Sequence, residues 1–372
     1  MTRPTQARID LAALQDNYRC ARRLHGGRAL AVIKANAYGH GALQCARALA
    51  SIADGFAVAF LDEAVALREG GVRGPILVLE GAFSTNEVRL ASRLSLWLTV
   101  HHDEQIRMLA ESSVAPHSLG IWLKLDSGMR RAGFSLQDAR GAHERMQRTG
   151  KVSSSVLMTH FACADEPQRD DTRQQIERFD AATRDLPGER SLCNSAGLIS
   201  WPSARRDWAR PGLMLYGVAP AGTVQSQLQP VMTFGSTVFA ERTLLAGEAV
   251  GYGASFIAPR RMRIGLVCAG YADGYPQTAP SGTPVAVDRQ RTALIGRVSM
   301  DMLAVDLTEL PSAGIGSEVE LWGRTIRVAE VAAASSRIAY ELLCNVKRAG
   351  IVYAGTHVQD LNGAMSIDAC TS

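Results

Sequence analysis

Segment 34–41, Lys-Ala-Asn-Ala-Tyr-Gly-His-Gly, places a lysine and a tyrosine at the end of a short apolar run. Residues 29–33 have the composition of a buried strand, and Lys34 follows them directly. Because burying an unpaired ammonium group is costly, the amine must reach solvent, find a partner or lose its charge. A desolvated lysine with a lowered pKa is the standard nucleophile for imine formation. Taken alone, the segment also fits a lysine that extends to solvent and a Tyr38 that only packs.

Further polar residues follow later apolar runs in the same way. A histidine in such a place commonly just makes hydrogen bonds, and Asn-Ser-Ala commonly caps a helix, so each residue alone has an ordinary structural explanation. Their shared position is what indicates a site. The polar residues are Lys124, Arg131, His160, Asn194, Ser195 and Arg210, and Gly212 and Leu213 join them through their backbone.

The elements that must position these side chains alternate between short apolar runs and longer helical ones. Continuous apolar strands that alternate with helices are typical of a parallel sheet buried on both faces. Eight such units in about two hundred residues predict an α/β fold, an N-terminal (β/α)8 TIM barrel whose strand ends carry the site. The predicted strands are 29–33, 55–61, 75–79, 95–100, 120–125, 154–158, 191–193 and 212–215. Arg210 then stands at the start of the eighth.

The pattern changes near residues 219–229, a stretch of Ala, Gly, Gln and Pro. Strand-like segments with Gly and Pro turns follow, before one helical run over 328–343. We predict a barrel domain over residues 1–225 and a C-terminal mostly-β domain over 226–372. The predicted β segments are 233–244, 263–269, 283–287, 294–307 and 319–322.

The loops after strands seven and eight are where TIM barrels often bind phosphate. Ser195 offers a hydroxyl at a predicted helix start, Gly212 and Leu213 offer backbone amides, and Tyr38 offers a phenol. No P-loop motif is present, so a nucleotide is not indicated.

The composition of the chain argues against several other classes of protein. The chain has 372 residues, 47% of them apolar, with a net charge of +4, which is too weak to suggest nucleic acid. Seven cysteines without a CxxC pair favour reduced thiols over a disulfide framework or a metal site. No apolar run has membrane-spanning length, so we expect a cytoplasmic protein without a membrane partner.

These motifs together resemble those of the alanine racemases, pyridoxal 5'-phosphate (PLP) enzymes built from a TIM barrel and a β domain. Segment 32–41, Val-Ile-Lys-Ala-Asn-Ala-Tyr-Gly-His-Gly, is similar to the family's cofactor-lysine segment. Three later motifs follow in the family's order, and the resemblance extends over nearly the whole chain. They are Val-Gly-Tyr252-Gly, Gly-Tyr271-Ala-Asp-Gly and Arg-Val-Ser-Met300-Asp301. One departure is Arg348-Ala-Gly, where relatives have Arg-Val-Pro.

The resemblance implies that Lys34 carries PLP. The family residues that match Tyr38, Ser195, Gly212 and Leu213 bind the phosphate, and Asn194 joins this cofactor-binding set. The residue that matches Arg210 meets the pyridine nitrogen, and the one that matches His160 lies beside the ring. A guanidinium is effectively always charged, so it disfavours a proton on that nitrogen and limits transamination.

The implied reaction interconverts L-alanine and D-alanine, either to supply D-alanine for peptidoglycan or to catabolise it. Racemisation removes a proton from one face of Cα and delivers one to the other, and the family's two bases match Lys34 and Tyr252. A free tyrosine has a pKa of about 10, so the site must stabilise its phenolate. The resemblance assigns substrate contacts to Arg131, Met300, Asp301 and Tyr271, and it marks Lys124 as a possible carbamylated lysine.

The same motifs can be compared with those expected for other functions. A broad-specificity or serine racemase fits the same motifs. A basic amino-acid decarboxylase is opposed by Arg210, and a non-catalytic PLP-binding protein is opposed by the β domain that carries Tyr252. The resemblance also implies a homodimer with shared active sites, in which Tyr252 and the Met300-Asp301 segment reach the barrel of the partner.

Overall fold

A computed structural model describes residues 3–220 and 227–355. The elements up to residue 209 alternate strands with helices, as the apolar pattern predicts. They are β1 (Gln6–Asp10), α1 (Leu11–His25), β2 (Arg28–Val32), α2 (Lys34–Tyr38), α3 (Ala42–Leu49), β3 (Gly55–Val58), α4 (Leu61–Glu69), β4 (Ile76–Val78), α5 (Thr85–Arg93), β5 (Trp97–Val100), α6 (Asp103–Glu111), β6 (Leu119–Asp126), β7 (Phe134–Ser135), α7 (Ala139–Arg148), β8 (Val152–Met158), α8 (Asp171–Thr183), β9 (Glu189–Ser191), α9 (Ser195–Ser200) and β10 (Trp208–Ala209).

The later elements are mostly strands. They are β11 (Met232–Leu244), β12 (Ala249–Val250), β13 (Phe256–Ile257), β14 (Met262–Val267), β15 (Pro284–Val287), β16 (Gln290–Ile295), β17 (Leu303–Asp306), β18 (Glu318–Trp322), α10 (Val328–Ala334), α11 (Ala339–Cys344) and β19 (Gly350–Ala354).

Eight parallel strands close into the predicted barrel. Their order is β5-β4-β3-β2-β10-β9-β8-β6, and pairing between β5 and β6 completes the ring. Rings of Trp97, Trp122 and Trp208 lie within 6.1 Å of one another, centroid to centroid. Because β5 and β10 are not neighbours in the ring, these side chains meet inside it and fill its N-terminal end.

The predicted eighth strand, 212–215, is wrong. The strand is Trp208–Ala209, and Leu213–Tyr216 forms a 3-10 turn. A two-residue strand leaves almost no apolar run to recognise, and Pro211 has no N–H with which to extend the ladder. Arg210 therefore follows the end of the eighth strand rather than preceding it.

Two of the predicted β-domain segments are also divided. Segment 294–307 contributes to two strands, β16 and β17, and the helical run 328–343 forms α10 and α11. The interruption between the helices includes Ser336 in a left-handed conformation, with φ of 55°.

The second sheet has the order β14-β17-β16-β15-β18-β11-β1-β19, and an additional β14–β11 pairing closes six of its strands into a smaller barrel. β1 lies in this sheet although it precedes the TIM barrel in the chain, since it pairs with β11 and β19. The predicted boundary between residues 225 and 226 lies outside the described residues. One continuous hydrophobic core contains side chains of both barrels, so they pack on each other.

Across 3–220 and 227–355, no helix is long and apolar enough to cross a membrane.

Candidate active site

A cavity of about 470 Å³ lies at the C-terminal ends of the TIM-barrel strands. All ten barrel residues predicted from the sequence line it. They are Lys34, Tyr38, Lys124, Arg131, His160, Asn194, Ser195, Arg210, Gly212 and Leu213. They lie at or after the ends of five strands, β2, β6, β8, β9 and β10, so closure of the barrel is what brings them together.

The segment between Lys34 and Tyr38 has an unusual backbone. Residues 35–38 all have φ between 52° and 55°, which makes α2 a left-handed turn built from non-glycine residues. Each L-residue in this conformation costs roughly 1–2 kcal/mol, so the surrounding structure must hold the turn in place. The result is that Lys34 and Tyr38 both face the cavity from one short segment.

Polar contacts surround this left-handed turn. Nδ1 of His40 lies 2.9 Å from the carbonyl oxygens of both Ala37 and Tyr38. Oδ1 of Asn36 accepts from the N–H of Ala42 at 2.9 Å, and the Glu63 carboxylate accepts from the first amide of the turn. Because carbonyl oxygens only accept, Nδ1 of His40 carries the ring hydrogen.

One end of the cavity presents backbone amides. Oγ of Ser195 accepts from the N–H groups of Gly212 and Met214, at 2.9 and 3.3 Å. Oδ1 of the Asn194 side chain accepts from the N–H of Gly197 at 2.8 Å and so caps α9. A Cβ on Gly212 would lie 2.6 Å from the phenol oxygen of Tyr38, so only glycine leaves this approach open. First-turn amides without helical partners are suited to an anion such as phosphate.

The far side of the cavity holds a fixed cation. Arg210 is buried and donates to the carbonyl oxygens of Ser191 and Thr159, at 3.0 and 2.6 Å. Burial lowers the pKa of Arg210 to about 10, which still leaves it charged at neutral pH. Its Nη2 lies 3.4 Å from Nδ1 of His160.

His160 is neutral beside this cation. Burial, followed by the charges of Arg210, Arg131, Lys124 and Lys34, lowers the pKa of His160 well below its usual value. Since Nδ1 faces an N–H donor, the ring hydrogen sits on Nε2.

Lys124 is a buried lysine on β6. Burial lowers its pKa first of all, and nearby cations, among them Arg131, act in the same direction. Glu80 opposes the shift, and it also lines the cavity. A larger fraction of Lys124 is therefore the neutral amine, which is a better nucleophile than the ammonium form.

None of the β-domain residues predicted for the site lines this cavity. The Tyr271 N–H donates to the carbonyl oxygen of Ser299 at 3.0 Å, next to Met300. Tyr252 is 72% exposed and Met300 is 53% exposed. The Asp301 carboxylate accepts from Arg348 at 2.9 Å. The residues that line the cavity of this chain do not include Tyr252, Tyr271, Met300 or Asp301.

Sequence reasoning missed several residues around the cavity. Glu80, Ile338, Tyr340 and Cys344 line it, the last three from the segment around α11. The Tyr38 ring lies 5.9 Å from that of Tyr340. No sequence signal marked them, because an acid after a strand or a tyrosine in a helix is ordinary at the surface.

A larger cleft, of about 970 Å³, opens at the N-terminal ends of the strands. Five arginines line it, and four of them pair with acids. Within the described ranges, no group of three or more His, Cys, Asp or Glu side chains is placed to hold a metal ion.

Comparison with known proteins identifies the chain over most of its length. The family model for the alanine racemase N-terminal domain matches residues 9–220, and the model for the C-terminal domain matches residues 231–353. An alanine racemase of Aromatoleum aromaticum is 57% identical over 353 residues, which cover 95% of this chain and 100% of the relative. A catabolic alanine racemase of Pseudomonas putida is 53% identical, with 95% and 99% covered.

Solved structures agree. The biosynthetic alanine racemase of Pseudomonas aeruginosa superposes with a TM-score of 0.91 at 47% identity, covering 95% of this chain and 100% of that one. The alanine racemase of Bartonella henselae with covalently bound pyridoxal phosphate has a TM-score of 0.85 at 26% identity, with 94% and 99% covered. Two family models and full-length relatives thus agree with the fold, and the chain belongs to the alanine racemase family.

Proposed function

We propose that this chain interconverts L-alanine and D-alanine with PLP, using Lys34 and Tyr252 as the two bases. The chain is an amino-acid racemase, an isomerase. The observation that carries the residue assignment is the convergence of the Lys34 amine, the buried Arg210 guanidinium and the segments around Ser195 and Gly212 on one cavity.

The residues fit PLP. The cavity has the size of a cofactor site. The amides near Ser195 and Leu213 suit the phosphate, and Gly212 removes the one Cβ that would block Tyr38. Lys34 would hold the cofactor covalently, and Arg210 would face the ring nitrogen. When bound, PLP withdraws electrons from the substrate Cα and so acidifies its hydrogen.

The chain's own groups then handle the proton. The Lys34 amine takes or returns a proton on one face of Cα, and the Tyr252 phenol does so on the other. Arg210 stays charged at neutral pH, so beside the ring nitrogen it would oppose a proton there and restrain electron withdrawal. Neutral His160, next to Arg210, would lie beside the ring. Arg131 would bind the substrate carboxylate.

Lys124 is proposed as a carbamylation site. Its lowered pKa favours the neutral amine, whose nitrogen attacks carbon dioxide and then releases a proton. The carbamate is an anion beside Arg131, so it replaces a repulsive pair with an attractive one.

We also infer a homodimer whose sites are shared. Tyr252 is exposed on its own chain and lies outside that chain's cavity, as do Met300, Asp301 and Tyr271. A second chain that covered these side chains would receive Tyr252 as its second base. A cytoplasmic location is proposed from the six described cysteines, which are all free.

Changing Tyr252→Phe tests the two-base assignment. In deuterium oxide, exchange at Cα of recovered L-alanine should fall by roughly a hundredfold or more, since the base on that face is gone. Exchange into D-alanine should fall far less, because Lys34 still removes and returns a proton on its own face. Mass spectrometry of each recovered enantiomer gives both rates. A small and equal loss for both enantiomers would contradict the assignment.

A further inference from the structure

Glu63 bridges two neighbouring strand ends beside the active-site cavity. Its Oε1 accepts from the N–H of Ala35 at 2.6 Å, immediately after Lys34. Its Oε2 accepts from the N–H of Ala59 at 2.8 Å, just beyond β3. One carboxylate therefore links the start of the left-handed turn to the end of the adjacent strand.

We propose that Glu63 is a positioning residue that aims Lys34 and Tyr38 by holding the left-handed turn between them. Glu63 is not among the residues that line the cavity, so it acts through the backbone of Ala35. The inference rests on the proposed role of Lys34 as the base on the D-alanine face.

The turn needs such support because its conformation is disfavoured. Four successive L-residues are left-handed, and a strained backbone persists only where neighbouring groups over-determine it. The contacts of His40 and Asn36 hold the later part of the turn. Glu63 holds its first amide, and bonds to an ionised acceptor are short and strong. Released from Glu63, Ala35 could return to a right-handed conformation and redirect the Lys34 side chain.

A simpler role is a helix cap. Glu63 is the third residue of α4, and its Oε2 also accepts from the N–H of Phe60 at 3.3 Å. That pattern stabilises many helices. Capping uses only Oε2, however, whereas the shorter bond from Oε1 leaves the helix and reaches the segment that carries Lys34.

Glu63→Gln breaks the bridge between the turn and the end of β3. Glutamine keeps one oxygen, but its NH₂ group faces a backbone N–H and cannot accept. Glu63→Asp is a second variant, whose shorter side chain cannot span both amides. Glu69→Gln is the matched control, an exposed glutamate at the other end of α4.

The readout is Cα deuterium exchange in each enantiomer, alongside Tyr252→Phe. Misdirection of Lys34 should lower exchange into D-alanine by about tenfold or more, because small displacements of a catalytic group reduce reaction rates by that much. Exchange into L-alanine should fall less. Glu69→Gln should match the wild type. Adding Ala35→Gly to Glu63→Gln should restore part of the loss, since glycine adopts left-handed φ without strain.

Two results would overturn the proposal. One is a lower melting temperature with wild-type exchange in both directions, and the other is an equal loss in both, as a plain cap would give. Failure of the proposed function gives a different result, because Tyr252→Phe would then not lower exchange into L-alanine more than exchange into D-alanine. Tyr252→Phe can still lower exchange mainly into L-alanine while the Glu63 variants do not lower exchange mainly into D-alanine. In that case only the role of Glu63 is refuted.

Discussion

At the scale of single residues, the charge and the hydrogen bonds of Arg210 act together. Two carbonyl oxygens fix its guanidinium, and the same group sets the tautomer of His160. The sequence located the barrel residues well because polar side chains at strand ends stand out against apolar runs. It gave no sign of Glu63 or His40, since a glutamate in a first helical turn and a histidine between glycines are ordinary. The roles of the ten cavity residues stay predictions.

Arg210→Glu should slow racemisation by roughly a hundredfold and increase transamination, because a carboxylate would favour a proton on the ring nitrogen. Pyruvate released from alanine measures the side reaction. Arg210→Lys is the matched variant: it loses the bidentate geometry but keeps a positive charge, so pyruvate should stay low. Equal pyruvate from both variants would mean that disrupted packing, rather than charge, is responsible.

At the scale of elements, the left-handed turn is the feature that no sequence rule predicts. Residues 35–38 contain no glycine, which is the usual sign of positive φ. The turn depends on contacts made by His40, Asn36 and Glu63, and His40 is the most deeply buried of the three. The wrong eighth strand has a similar cause: pairing with both neighbours, rather than local composition, makes Trp208–Ala209 a strand.

His40 should make stability depend on pH. Burial lowers the pKa of its ring to about 4, from 6.5 in an unfolded chain. As pH falls below 6.5, the unfolded chain takes up a proton that the native ring refuses, so stability is lost between pH 6.5 and about 4. Between pH 7 and pH 5, this single residue should lower the free energy of unfolding by about 2 kcal/mol.

Urea unfolding of the wild type and of His40→Gln at the two pH values measures this contribution. The variant should be less stable at pH 7 but should lose less on acidification. His117→Gln, at an exposed histidine, should keep the wild-type difference. An unchanged pH dependence in His40→Gln would show that other groups are responsible.

At the scale of the whole molecule, the TIM barrel and the mostly-β domain were foreseeable as fold classes because each has its own apolar pattern, whereas closure of the second sheet was not. The place of β1 was not, since a five-residue strand does not reveal a partner in the other half of the chain. The exposed β-domain motifs bear on assembly. Tyr252 and Met300 are both exposed on a single chain, and the proposed dimer gives them a place in the partner's cavity.

Mixing two inactive variants tests the shared site. Lys34→Ala and Tyr252→Phe are unfolded and refolded together in equal amounts. In a shared-site heterodimer one site collects both defects and the other collects none. Random pairing makes about half of the dimers mixed, so about a quarter of wild-type activity should return. A mixture that contains heterodimers, shown by differently tagged chains, yet stays as inactive as its parents would rule out sharing.

The pairing of β1 also determines the order in which the molecule can be completed during translation. β1 is made before the TIM barrel, but its partner β11 begins at Met232 and its partner β19 begins at Gly350. The eight barrel strands all end by Ala209, so they can pair on the ribosome first. Until the later strands emerge, residues 6–10 of the nascent chain have two open edges, and an unpaired edge invites pairing with the wrong strand. The earliest strand made is therefore the one exposed to mispairing for longest.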